Sequence, residues 1–169
     1  MNRAEAHPLP VHILAAPSSI HKGKTMTLGR LTLGLVFSAA ISSAAIAEDY
    51  EVQMLNRGDT GTMIFEPAFL RIAVGDTVKF VATDRGHNAE SIPEMIPEDA
   101  DVFEGAINEE IEVTFDVDGL YAVRCKPHFA MGMVMTIAVG DIAGAPEGYL
   151  DGRIPGGAMS RFEEQLSNL

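Results

Sequence analysis

From Tyr50 onward the chain alternates apolar and polar residues in short runs broken by turn residues, the pattern of half-buried strands rather than helices. Val52 and Met54 alternate with polar neighbours as far as Asn56, and Arg57-Gly58-Asp59 closes that run as a turn. Thr62-Met63-Ile64-Phe65 stops at Glu66-Pro67, where proline suits a bend or a sheet edge. Phe69, Arg71 and Ala73 lead to Val74-Gly75-Asp76, and Thr77–Thr83 reads as a buried strand. Residues 84–108 are polar and contain proline, with short helical turns expected around Glu94-Met95 and Asp99–Phe103. Glu110–Asp116 alternates again, Asp118-Gly119 turns the chain, Leu120–Arg124 follows, and Met133–Val139 is the last strand. Seven or eight strands at this spacing, with no long amphipathic helix among them, predict an all-β sandwich with Greek-key connections.

The pattern changes at both ends. After Asp141, Ala143-Gly144-Ala145-Pro146 reads as a connector and Gly156-Gly157 as a second break. Ala158–Leu166 then puts Met159, Phe162 and Leu166 at helical spacing, with Arg161, Glu163 and Glu164 on the outer face. A helix is expected there, and a shorter one near Tyr149. At the other end, residues 31–47 form an apolar stretch preceded by Lys22, Lys24 and Arg30 and ending in Ala45-Ile46-Ala47. Charged, apolar and small-residue regions in that order predict a secretory signal peptide, cut after Ala47, with Met26 an alternative start. The organisation expected is therefore a presequence over 1–47, one sandwich domain over 48–141 and a helical extension over 142–169 packed on the same domain.

Removing the presequence sharpens the composition. Of 12 Lys and Arg and 24 Asp and Glu, 8 and 23 remain after residue 47, so the net charge moves from −12 to −15. A chain this acidic is repelled by nucleic acid and by anionic membranes. Three of the five histidines, His7, His12 and His21, leave with the presequence, so only His87 and His128 remain. Cys125 is the single cysteine. In an oxidising compartment it has no partner within the chain, and must be inert, paired between molecules, or bound to metal.

The neighbours of Cys125 favour metal. It opens the run Cys125-Lys126-Pro127-His128-Phe129-Ala130-Met131-Gly132-Met133, with His128 three residues on and Met133 five further. A loop of that length between adjacent strands can aim three side chains at one point, and His87 would come from another loop. Two imidazoles, a thiolate and a weak axial thioether are the ligands of a mononuclear electron-transfer copper site. Zinc accepts two His and a Cys, but the thioether favours the softer Cu(I). Taken singly, a histidine is more often a surface residue and a buried cysteine more often a small hydrophobe. Their joint spacing is what selects His87, Cys125, His128 and Met133 as ligands of one copper ion, with Met131 the local competitor for the thioether place. Met54, Met95 and Met135 read as core.

The same run, with Ile137-Ala138-Val139-Gly140-Asp141, Met63-Ile64-Phe65-Glu66-Pro67, Gly75-Asp76-Thr77-Val78 and Gly86-His87-Asn88-Ala89-Glu90-Ser91-Ile92, resembles the pseudoazurins, blue copper proteins of the cupredoxin fold. The resemblance covers roughly residues 49–141, and the tail more loosely. The Cys-His-Met spacing alone is shared with plastocyanin. The resemblance implies a periplasmic, monomeric one-electron carrier between redox proteins such as a cytochrome c and a copper nitrite reductase, docking near His128.

By position, the Asn88 backbone N–H could donate to the Cys125 sulfur, while Pro127 offers no N–H. Met63, Pro127 and Met131 are candidates for an apolar rim around His128. Arg57, Arg85, Arg124 and Lys126 could keep part of the basic ring the family often carries, with Glu98, Asp99, Asp101 and Glu104 intruding. A copper carrier or storage protein that moves the ion itself is the rival reading. An enzyme is not expected, because a second copper centre needs more histidines or a second cysteine.

Overall fold

The computed structural model describes residues 46–169, so the expectations for the leader up to residue 45 lie outside the described residues. The eight strands are β1 (Asp49–Gly58), β2 (Gly61–Glu66), β3 (Phe69–Ile72), β4 (Thr77–Val81), β5 (Glu90–Ser91), β6 (Ile111–Thr114), β7 (Gly119–Arg124) and β8 (Val134–Val139). They form two mixed four-stranded sheets, in the orders β2-β1-β4-β6 and β3-β8-β7-β5. β1 runs parallel to β4 and β3 parallel to β8, while the other neighbours are antiparallel. The two sheets face each other across one core.

Strand parity explains what each face does. On β1, Val52 and Met54 point inward and are wholly buried. On β7, Tyr121 and Val123 join that inter-sheet core, and the same parity carried one step past the strand puts Cys125 in it. Before and along β8, Met133, Met135, Ile137 and Val139 do likewise. All six residues of β8 are buried, including the alternate ones. The outer face is covered by helix α1 (Gly156–Leu166), whose Ala158 and Phe162 pack with Ala122 and Val134 in a second cluster. Met54, Met95 and Met135 are core residues, as expected.

Three expectations need correction. The short helix near Tyr149 does not form; residues 147–150 make turns, and Tyr149 instead packs against the cluster under α1 and donates its hydroxyl to the Met95 carbonyl. No helical turn forms over Asp99–Phe103, although Pro93–Met95 is a 3₁₀ turn. On α1 the buried residues are Ala158, Phe162 and Gln165 rather than Met159, Phe162 and Leu166. Gln165 is drawn in because its amide meets Thr136 Oγ1 at 2.9 Å and the Val134 carbonyl at 3.0 Å. Burial of a polar side chain is tolerated when its hydrogen bonds are made.

Candidate metal centre

Cys125 follows directly on β7, facing the core, and the segment after it closes tightly on itself. Lys126–Met131 is a 3₁₀ segment with Pro127 in its first turn, where a missing N–H costs nothing. Its backbone bonds run from His128 N to the Cys125 carbonyl (3.1 Å), Met133 N to the His128 carbonyl (3.1 Å) and Cys125 N to the Met133 carbonyl (3.0 Å). The loop is thus a small closed unit whose two ends are hydrogen-bonded to each other. His87 arrives from the β4–β5 connection and is wholly buried.

The three donor atoms converge. His87 Nδ1 and His128 Nδ1 are 3.1 Å apart, and Cys125 Sγ lies 3.6 Å from the first and 3.5 Å from the second. A point equidistant from atoms so spaced lies about 2 Å from each, the length of a bond from imidazole or thiolate to a small divalent metal. The donor set therefore fits a metal ion in a near-regular triangle. Met133 is wholly buried in the same core cluster as Cys125, whereas Met131 is 56% exposed. The two candidates for the thioether place thus differ in burial.

Neighbouring groups prepare the donors. Asn56 Oδ1 lies 3.1 Å from His87 Nε2. An amide oxygen only accepts, so Nε2 carries the proton and Nδ1 keeps its lone pair toward the centre. Burial, and after it the nearby His128, holds His87 below the usual imidazole pKa, which keeps it neutral and able to ligate. Burial pushes the Cys125 thiol up, with the backbone N–H groups of Asn88 and His128 drawing it partly back. The Asn88 side chain does more: Oδ1 accepts the Lys126 N–H at 2.8 Å, and Nδ2 donates to Glu90 and to the Gly105 carbonyl. One residue ties the His87 loop to the Cys125 loop.

Glu90 extends that tie. Its carboxylate is 3% exposed, yet it is held by Arg124 Nε at 2.7 Å and Asn88 Nδ2 at 3.0 Å, with Lys126 Nζ 3.8 Å away. Lys126 also pairs with Glu104 at 2.8 Å, and Arg124 lies over the Phe129 ring. Of the four cations expected at the rim, Arg124 and Lys126 are therefore already paired within the molecule. Arg57 and Arg85 are exposed and make no ion pair among the described residues.

Sequence reasoning singled out His87, Cys125 and His128, and the fold brings them together. It missed the supporting contacts of Asn56 and Glu90. Their contacts are long-range, Asn56 to His87 across 31 positions and Glu90 to Arg124 across 34, and no local spacing signals them.

Two packed sheets with a His-Cys-His triangle, buried except at His128, define a copper protein of the cupredoxin fold. Residues 52–140 match the profile of the copper-binding proteins of the plastocyanin/azurin family. The chain belongs to that family, and within it to the pseudoazurins. It is 41% identical over 130 residues to the pseudoazurin of Paracoccus pantotrophus, covering 77% of this chain and 90% of that one. The pseudoazurin of Methylorubrum extorquens is 43% identical over 107 residues, covering 63% of this chain and 72% of that one. The crystal structure of pseudoazurin from Methylobacterium extorquens AM1 superposes with a TM-score of 0.67 at 37% identity, covering 71% of this chain and 98% of that one. The metal this family binds, copper, suits a donor set of one thiolate and two imidazoles.

Proposed function

We propose that His87, Cys125, His128 and Met133 bind one copper ion as a type 1 centre, and that the protein carries single electrons between redox proteins in the periplasm. The observation that carries this reading is the 3.1–3.6 Å triangle of His87 Nδ1, His128 Nδ1 and Cys125 Sγ on hydrogen-bonded loops. Held by His87, Cys125, His128 and Met133, copper would supply a one-electron Cu(I)/Cu(II) couple. The protein's part is to keep the ligands still in both states. Asn56 holds His87, Asn88 joins the two ligand loops, and the backbone bonds of 125–133 hold Cys125 and His128 in register.

His128 is the half-buried ligand, beside exposed Pro127 and Met131, so electrons pass there. A cytochrome c and a copper nitrite reductase are the partners proposed, meeting a monomer at this small apolar surface. Residues 1–47 are proposed to direct export and to be removed, leaving 48–141 as the cupredoxin domain and 142–169 as its extension. No helix among the described residues is long and apolar enough to cross a membrane. The ion-carrier alternative calls for an exchangeable, open site, and the wholly buried His87, Cys125 and Met133 oppose it.

The test is a visible and EPR spectrum of residues 48–169 after addition of Cu(II) and then ascorbate. An intense thiolate-to-copper band, narrow copper hyperfine splitting and reversible bleaching are expected, and all three should vanish in Cys125→Ser. Weak colour with an ordinary square-planar signal would return the carrier reading to first place.

A further inference from the structure

Helix α1 is joined to the metal loop by more than apolar packing. Arg161, expected on the helix's outer face, is half-buried, and its Nη1 donates to the carbonyls of Met63 at 2.6 Å and Gly132 at 2.8 Å. Its Nη2 donates to the Thr62 carbonyl at 2.9 Å. No carboxylate pairs with it among the described residues. The guanidinium is spent on backbone oxygens of two separate segments, strand β2 and the last residue before Met133.

The main chains meet at the same place. Gly132 is buried with φ +91, in the left-handed region that favours glycine, and a Cβ there would stand 2.7 Å from the Gly157 carbonyl oxygen. A Cβ at Gly157 would in turn stand 3.3 Å from the Ala130 carbonyl oxygen. Met63 holds φ +51, uncommon for a residue with a side chain, and its carbonyl is one of those Arg161 takes.

We infer that Arg161 is a positioning residue of the copper centre, holding Gly132, and through it the Met133 thioether, in place from the C-terminal helix. This rests on the ligand set proposed above. The axial thioether bond is long and weak, so the position of Met133 is set by its backbone. Cys125 and His128 are held from within the loop and by Asn88, whereas the Gly132 carbonyl is held from outside it, by Arg161. Met133 keeps its backbone bonds to His128 and Cys125, but without that grip the Gly132–Met133 peptide tilts about them and shifts the thioether, while the His-Cys-His triangle stays.

The test compares three variants of the copper-loaded protein. Arg161→Met keeps the apolar stem and removes the donors. Arg161→Lys keeps the charge but lacks the planar fork that spans several acceptors. Gln165→Leu loosens the same helix at Thr136 and Val134 without touching the loop. Arg161→Met should still bind copper stoichiometrically. Its shorter-wavelength charge-transfer band should weaken relative to the main band, its EPR spectrum should become more axial, and its reduction potential should rise. Arg161→Lys should fall between Arg161→Met and wild type, and Gln165→Leu should lower Tm while keeping the wild-type spectrum and potential.

The inference is overturned if Arg161→Met matches wild type in spectrum and potential, or if Gln165→Leu shifts them as far. Should Arg161→Met fail to fold, Arg161→Lys against Gln165→Leu decides on the same readouts. A wild-type protein lacking the intense band would overturn the ligand set itself, and this inference with it, before any variant is compared.

Discussion

At Asn56 and Asn88, uncharged side chains set the direction of groups that would otherwise be free to turn. Asn56 accepts from His87 Nε2 and so selects the tautomer whose lone pair faces the centre. Loss of such an orienting partner costs roughly 10–100-fold in metal affinity. Asn56→Leu is therefore expected to weaken copper binding by about that factor, read by competition with a calibrated chelator; unchanged affinity would refute the orienting role. At Pro127 the relevant atom is one the residue lacks. A new N–H directed at the Cys125 sulfur would favour the electron-rich reduced state. With about 1 kcal/mol for a net hydrogen bond and about 59 mV per tenfold for a one-electron couple, Pro127→Ala should raise the potential by on the order of 40 mV. Voltammetry giving a lower or equal value would defeat that account.

Strands and helix divide the work of support. β7 and β8 carry the ends of the metal loop, so whatever stabilises this pair stabilises the site. Their outer face is covered by α1 through Phe162, wholly buried against Ala122 and Val134. Phe162→Ala should cost about 3–5 kcal/mol in urea unfolding, the usual loss for opening a core aromatic site. A loss below about 1 kcal/mol would mean that the helix contributes little to the sandwich. At the opposite end of the fold, buried Asp76 accepts the N–H groups of Glu48 at 2.8 Å and Ala73 at 2.7 Å, anchoring the entry to β1. Asp76→Ala leaves both donors without that partner, and a destabilisation of about 2 kcal/mol is expected by the same measurement.

Taken whole, the chain is acidic, and the cations that form ion pairs among the described residues are Lys79, Arg124 and Lys126. Arg124 and Lys126 are engaged with Glu90 and Glu104, and the Lys126–Glu104 contact holds the Glu104 carboxyl below and the Lys126 ammonium above their ordinary pKa values. If docking is near His128 as proposed, exposed Arg57 and Arg85 are the cations that would meet a partner. Steering by such charges changes association rates more than the stability of the complex formed, and it fades with salt. The double variant Arg57→Glu and Arg85→Glu should slow electron transfer with an acidic partner about tenfold at low ionic strength, with the difference closing as salt rises. Stopped-flow rates insensitive to both changes would move the docking surface elsewhere.

Much of this was legible in the residues themselves. The alternation of β1 marked Val52 and Met54 as inward-facing, because a strand repeats every two residues. Cys125, His128 and Met133 sit within one short loop, so their sequence spacing is nearly their spatial arrangement, and His87 stood out as the other histidine remaining after the leader. Tertiary packing decided the rest. Arg161 reaches the Met63 carbonyl across 98 positions, and an arginine beside two glutamates on a helix looks like solvated surface until the sheet beneath it is in place. Gln165 was hidden in the same way, since a polar residue reads as outward-facing until an acceptor and a donor wait for it inside. Three of the four proposed ligands are local in sequence, whereas Asn56 and Arg161, which hold the ligand segments, are distant from them, because rigidity comes from contacts between elements that only the folded chain brings together.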